Sequence, residues 1–527
     1  MNWRRAAAAA WPVVLAAGVV GLGLLLGWRG VDLPAADHRV QLFHAFGFTA
    51  WDSQWYGGEW TLNYSVVFGP LAGTLGVGAV AVGFAALAAY SFSRLVRLAL
   101  PDGRRAWVAT AVFSVSLAVE TSIGQLPFLV GEALALSALL AARRRWWPLA
   151  WALAVCASLV SPLPGFFLGL AAVAWALDAA LSSRWTGRLG AGRLVAGRLV
   201  AARLGLAVGV ALPVGVLAVF FPGLGNMPYP GADFVWYLLV AAALFVVTPP
   251  SWRALRIGEV LYAAAVIGSY VIPSPIGGNV ERLEDCLALP VAVLVGWQAW
   301  RRVLVVILFV PLLLSQWAPA WDAITSIPAA PSSHRAFFTP LVDYLQAVDP
   351  SGISGRVEVV PTAYHWEAVY VAPHVPLARG WERQTDSAYN SVFYVPGRLD
   401  DVSYVEWLQD NGVAYVALAN APLDYIAPPE AHLVRAGVPG LVRAWSDPDW
   451  TVWRVSGSPG LVSGPGTLSR IGENQLSVTA GGAGTVLVRV HWSWAWRVTS
   501  GAGCVARSST GWTDVTVTRA ETFTLAI

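Results

Sequence analysis

The residues best suited to chemistry lie between the first two apolar runs, in segment 29–63. It carries the acids Asp32, Asp37, Asp52 and Glu59, the histidines His38 and His44, and a cluster of tryptophans and glycines. Loops longer than roughly 12–15 residues are commonly functional. Carboxylates beside sugar-sized aromatic faces, at the mouth of a membrane bundle, suggest chemistry on a lipid-borne substrate. Trp51, Trp55, Tyr56 and Trp60 share this segment and offer apolar ring faces with polar tips. The same residues would equally suit a structural cap with an interfacial aromatic belt.

Three further charges stand out against apolar surroundings. Glu132 lies within LPFLVGEALAL, where a carboxylate at the bilayer centre costs about 2.5–3.5 kcal/mol on insertion scales. It either faces the bundle interior and pairs there, or is a shallow acid near Gln125 and Pro127 that reaches the outer interface. Glu120, at the outer end of the third apolar run, has the same two readings. Arg282, in GGNVERLED, is a rare arginine at an outer helix mouth. Its planar fork could grip a phosphate, or pair with Glu281, Glu284 or Asp285. Cys156, Cys286 and Cys504 lie far apart, and the histidines show no HExxH or related spacing. No disulfide framework, structural zinc or cofactor is therefore expected.

The elements that must position these groups are mostly membrane helices. Hydrophobic residues make up 56% of the chain and charged residues 12%, against about 25% charged in soluble domains; mean hydropathy is +0.58. Apolar runs long enough to cross a bilayer recur from Trp11 to about Trp317. A net charge of +3 is too small to suggest nucleic acid. All 34 basic residues are arginine, and they fall in alternate loops. Arg4 and Arg5 precede the first run; Arg94 to Arg105, Arg143 to Arg145, Arg184 to Arg203, Arg253 with Arg256, and Arg301 with Arg302 follow. By the positive-inside rule this predicts a cytoplasmic N-terminus, about eleven spans, and a C-terminal region outside. The first run has no small-residue cleavage site after its apolar core and is expected to remain as an anchor. In TGRLGAGRLVAGRLVAARLG (186–205) five-residue spacing turns each arginine by roughly 140°, so a surface helix is not expected there, only a tolerated cytoplasmic insertion.

Residues 1–318 are thus read as a polytopic bundle with 29–63 as its long first outer loop. Residues 319–455 are read as an α/β domain, with strands at 356–360, 412–418 and 450–455 and helices at 338–348 and 404–412. A Gly/Ser/Pro linker (456–466) leads to short alternating strands over 467–527, expected to form a β-sandwich. Trp366, Trp381 and HWSWAW (491–496) could line a glycan groove or simply pack a core.

A long acidic first outer loop, about a dozen spans and an extracytoplasmic C-terminal domain resemble the GT-C superfamily of polyprenyl-phosphate-dependent glycosyltransferases. AADHRVQLFHAF, WDSQWYGGEWTLNYSVVFGPLAG, SIGQLPFLVGEALAL, SPIGGNVERL and LARGWERQTDSAYNSVFY resemble more closely a set of actinobacterial membrane proteins labelled as 6-pyruvoyl-tetrahydropterin synthase-related. The resemblance implies a plasma-membrane enzyme that transfers a sugar from a polyprenyl-phosphate donor to an envelope glycan or lipid. It makes Asp37 the expected catalytic base, with Asp52 and Asp32 as competitors. One carboxylate suffices to take the acceptor proton; two are needed only for hydrolysis or double displacement. The departing phosphate needs Arg282 or a divalent metal. Asp32, Glu59, Trp51, Trp55, Tyr56 and Glu132 would bind substrate, and Arg379 and Arg383, with Glu382 and Asp386, would contact the acceptor. The rivals are a transporter or flippase for an envelope precursor, and a non-catalytic envelope assembly protein on the same scaffold.

Overall fold

The computed structural model describes residues 3–100, 103–185, 191–296 and 299–527. The chain divides into two units, Met1–Ala36 with Asn63–Pro328, and Asp37–Leu62 with Ala329–Ile527. The first is helical: α1 (Trp3–Leu25), α2 (Leu33–Phe46, which runs on into the second unit), α3 (Phe68–Leu75), α4 (Val77–Ala99), α5 (Arg104–Ile123), α6 (Leu126–Arg143), α7 (Trp147–Val160), α8 (Pro162–Trp185), α9 (Ala191–Phe220), α10 (Gly231–Val247), α11 (Arg253–Val271), α12 (Arg282–Val295) and α13 (Ala299–Thr325). Among the described residues, 7 helices are long and apolar enough to cross a membrane, and Ala10–Leu25, Trp147–Val160 and Gly231–Val247 are shorter apolar helices.

Small residues set the spacing of the bundle. Ala138, Ala141, Ala150, Ala154, Ala157 and Ala172 form one buried seam across α6, α7 and α8. Small side chains let helix backbones approach, which is how helices associate where lipid is as apolar as leucine. Arg203 folds back on α8, donating to the Trp175 carbonyl at 2.7 Å and lying 4.2 Å over its ring. That end of the arginine repeat is therefore part of α9 packing, not a loose insertion. Arg188 and the side chains of Arg4, Arg5, Arg184, Arg193 and Arg301 lie outside the described residues.

The second unit contains α14 (Arg335–Val348), α15 (Glu367–Tyr370), α16 (Arg383–Tyr389), α17 (Asp401–Asp410) and α18 (Pro428–Ala436). It also holds the hairpin of β1 (Trp51–Asp52) and β2 (Glu59–Trp60), and the strands β3 (Arg356–Val359), β4 (Val413–Ala419), β5 (Leu441–Ser446) and β6 (Trp450–Val455). These last four pair in the order β3-β4-β6-β5, parallel only between β3 and β4. Asp400 starts α17 with a reciprocal cap to Ser403, which satisfies backbone donors that the first turn leaves open. Then follow β7 (Val462–Ser463), β8 (Gly466–Ile471), β9 (Gln475–Ala480), β10 (Gly484–His491), β11 (Arg497–Ser500), β12 (Cys504–Arg507), β13 (Trp512–Val517) and β14 (Glu521–Ala526). They form two four-stranded sheets, β12-β13-β10-β7 and β11-β14-β9-β8. Alternate residues Leu476, Val478, Val486, Val488, Val515, Phe523 and Leu525 are fully buried, the two-residue period of paired sheets with a shared core.

Two boundaries differ from those read in the sequence. Helix α13 passes through 318 and ends at Thr325, because WAPAWDAIT keeps helical spacing after its apolarity falls. Within segment 29–63, residues 37–62 cluster with the C-terminal unit. Backbone bonds tie them there: Leu377 N–H to Gln54 O and His491 N–H to Gly57 O, each 2.8 Å. Partners so distant in sequence leave no local pattern to read.

Candidate functional site

In the first unit, polar groups converge where α5 ends and α12 begins. Gly124 closes α5 in the left-handed region (φ +93°). A Cβ there would lie 2.3 Å from the Leu33 nitrogen, so only glycine lets the chain before α2 come this close. Asp32 is pinned alongside, its N–H donating to the Ile123 carbonyl at 3.0 Å. Its carboxylate meets Arg282 at 3.4 Å through one guanidinium nitrogen, with side chains 31% and 21% exposed. The guanidinium also lies 5.7 Å over the Phe128 ring. Arg282 thus pairs with Asp32, and not with Glu281, Glu284 or Asp285 as its near neighbours suggest. Asp285 instead accepts from Tyr237 Oη at 2.8 Å, and its carbonyl from Gln316. Beside them lies a cavity of about 10 Å³, room for one water.

Glu132 and Glu120 lie deeper, both buried, with Cys286 one turn beyond Arg282 on α12. The Cys286 thiol donates to Glu120 Oε1 at 2.8 Å. Sequence reasoning missed Cys286 altogether; its place one turn after Arg282 is the signal that could have found it.

In the second unit the acidic segment folds inward. His38 Nε2 meets Asp52 Oδ2 at 2.6 Å, and the His38 ring stacks on Trp55 at 3.9 Å. Asp52 Oδ1 accepts from the Gln54 N–H at 2.8 Å. Burial pushes the Asp52 carboxyl up, but the charge and hydrogen bond of His38 outweigh it and hold Asp52 below the ordinary carboxylate range. Glu59 goes the other way: burial, then the Glu382 and Asp52 charges, raise it well above that range despite Arg39. Glu473 is pushed up to about 9 by burial and the Asp52 charge. One carboxylate is held low beside two that are raised, the kind of split that divides base from acid.

This group is sealed. Asp52 is 2% exposed, Trp51 2%, Trp55 0% and Tyr56 1%. Their ring faces are taken by protein: Trp496 edges Trp51, and Trp55 packs under Gly380, where a Cβ would come within 2.7 Å of the indole. Asp37, on α2, is partly exposed.

The RGWERQTD stretch, expected to contact an acceptor, instead meets this segment through buried contacts. Arg39 pairs with Glu382, and Tyr56 Oη accepts from the Glu382 N–H at 2.7 Å. Arg379 is enclosed by Asp386 at 2.7 Å, Glu430 at 3.1 Å and Glu358 at 3.6 Å. Arg383 reaches Asp424 at 2.8 Å and lies between the Trp381 and Tyr425 rings. His365, unmarked by any sequence motif, completes that group. It has φ 56°, contacts Asp424 at 3.1 Å and Glu367 at 3.4 Å, and stacks on Trp381 at 3.6 Å. A left-handed non-glycine residue stores strain, and such residues gather at functional sites. A cavity of about 190 Å³ beside α14 is lined by Arg335, Phe338, Asp343, Gln346, Tyr370 and His374, none of them a sequence candidate. Comparison with protein-family models and with curated proteins found no match.

Proposed function

We propose that this protein is a plasma-membrane glycosyltransferase, with about eleven spans and its C-terminal region outside by the positive-inside rule. It moves a sugar from a polyprenyl-phosphate donor to an envelope glycan or lipid. The observation that carries this reading is Arg282. It is partly exposed, held by one 3.4 Å contact to Asp32 that uses a single nitrogen, and backed by an aromatic ring. Such a guanidinium can exchange that contact for a bidentate grip on a leaving phosphate. Asp37 takes the acceptor hydroxyl proton; Asp52, enclosed with His38, orients the segment that carries Asp37. The burial of Asp52, Glu59 and the loop's aromatics favours one rival, a non-catalytic envelope assembly protein.

A deletion strain decides between them. It should accumulate a polyprenyl-phosphate sugar and lack one glycan or lipid product, both restored by the wild-type gene. Asp37→Asn should lower product formation by about 10²–10⁴, the usual worth of a general base, with normal protein levels. Arg282→Lys, a point charge without the planar fork, should also lose most turnover. Absence of any accumulated donor, with full restoration by both variants, leaves the assembly reading.

A further inference from the structure

Glu120 on α5, Glu132 on α6 and Cys286 on α12 come together inside the first unit. One ligand atom from each lies within 4.8 Å of the others, and the residues are 5%, 8% and 6% exposed. The proximity of two acids and a thiol would not by itself make a site. Two further atoms do: Glu120 Oε2 and Glu132 Oε2 are both buried and accept no hydrogen bond from any group outside the pair. A carboxylate oxygen in an apolar interior needs a proton or a cation. Here one carboxylate oxygen from each of two acids and a sulfur, on three separate helices, lie within 4.8 Å of one another.

We propose that Glu120, Glu132 and Cys286 bind a divalent transition-metal ion of the zinc class. A sulfur ligand disfavours calcium and magnesium, which take oxygen alone, and favours zinc and its neighbours. Three protein ligands with a fourth position open are the pattern of zinc sites that also hold water or substrate. On binding, the Cys286 S–H bond breaks, a sulfur–metal bond forms, and the proton leaves to solvent. The thiol's present hydrogen bond to Glu120 Oε1 is given up in the exchange. Arg282, one helical turn before Cys286, is partly exposed with Asp32. The proposal does not depend on the glycosyltransferase reading.

Cobalt(II) provides a spectroscopic probe for the full-length, chelator-stripped protein in nanodiscs. The wild type should bind one ion per chain, release protons, and show a thiolate-to-cobalt charge-transfer band that zinc abolishes. The band should vanish in Cys286→Ser and persist in the Cys156→Ser/Cys504→Ser double variant. Glu132→Gln should keep the band but weaken cobalt affinity by more than the roughly 10–100-fold typical of losing an outer-shell partner. The Glu132→Gln measurement stands on its own if Cys286→Ser fails to fold. A folded wild type without the band, a band retained in Cys286→Ser, or unchanged affinity in Glu132→Gln each overturns the proposal.

Discussion

Replacing Arg379 separates a core role from an acceptor contact, the role its polar sequence context suggests. The side chain is 4% exposed. Its Nε and Nη2 form a fork on Asp386 at 3.0 and 2.7 Å, while Nη1 reaches Glu430 at 3.1 Å. Burial would raise the Asp386 carboxyl, yet the guanidinium overcomes this and holds it below the ordinary range. Glu430 is pushed up to about 7 by burial against the same guanidinium, and Glu358 well above the ordinary range by burial and the Glu430 charge. Near neutral pH the arginine therefore serves chiefly one full anion. Arg379→Met removes the cation and leaves Asp386 either charged and unpaired or forced to take up a proton. Breaking one side of such a buried pair costs about 3–5 kcal/mol. At 2–4 °C per kcal/mol for a unit of roughly 150–250 residues, the melting point should fall by roughly 6–20 °C. Arg379→Lys keeps the charge but loses the fork and should fall less. The assay is thermal unfolding of the full-length protein, with hydrogen exchange to locate the loss in residues 356–430. A shift under about 2 °C in Arg379→Met, smaller than 1 kcal/mol would give, combined with lost product formation, would refute the core role.

Gly124→Ala should destabilise the first unit by at least the roughly 1–3 kcal/mol of a left-handed non-glycine residue, because the clash at 2.3 Å is with Leu33 backbone, which cannot rotate away; thermal unfolding in detergent measures it, and an unchanged midpoint would show that α2 can shift. His365 makes a pH-dependent contribution: burial lowers its pKa, but hydrogen bonds it donates to Asp424 and Glu367 raise it above the ordinary 6.5. That contribution is fully present below 6.5 and lost as pH rises through the folded value, while Asp424, held below its ordinary 3.8, loses its own as pH falls. Hydrogen-exchange protection of residues 361–367, corrected for intrinsic rates, should therefore decline from about pH 6.5 upward, and His365→Gln should flatten that decline.

The helical class, the C-terminal strands and the positions of α14 and α17 were legible because each depends on local period and apolarity. Trp450 to Val455 reads as a strand within its own six residues, and it is one. The incorporation of residues 37–62 into the C-terminal unit was not legible. It rests on backbone bonds to Leu377 and His491 and on side-chain contacts such as Arg39 with Glu382 and Ser53 with Glu473, and no period encodes a partner several hundred residues away. The polar RGWERQTD strip was correctly noticed as anomalous. Its polarity gave no sign that Arg379 and Asp386 satisfy each other inside a core, since burial is a property of the fold and not of composition. Arg282 was noticed as a rare arginine at an outer helix mouth, but its partner Asp32 lies 250 residues earlier in the chain. Cys286 and Glu120 were invisible as a pair because a thiol and a carboxylate on different helices share no spacing rule.

The acids of segment 29–63 look interchangeable in sequence, and the structure makes them chemically distinct. Asp52 is held below the ordinary carboxylate range with its two oxygens occupied by His38 and the Gln54 N–H; burial and neighbouring negative charge raise Glu59 well above it. A general base must be ionised at working pH and within hydrogen-bond reach of the proton it takes. Asp52 and Glu59, at 2% and 6% exposure, fail the second requirement. Asp32 is partly exposed and paired with Arg282; it is set free when Arg282 turns to the phosphate, and so it stays a competitor for the base. The proposed base, Asp37, is partly exposed on α2. As that base, Asp37→Asn should act chiefly on turnover, whereas Asp52→Asn should act through the packing of His38 and Trp55 and lower stability together with turnover.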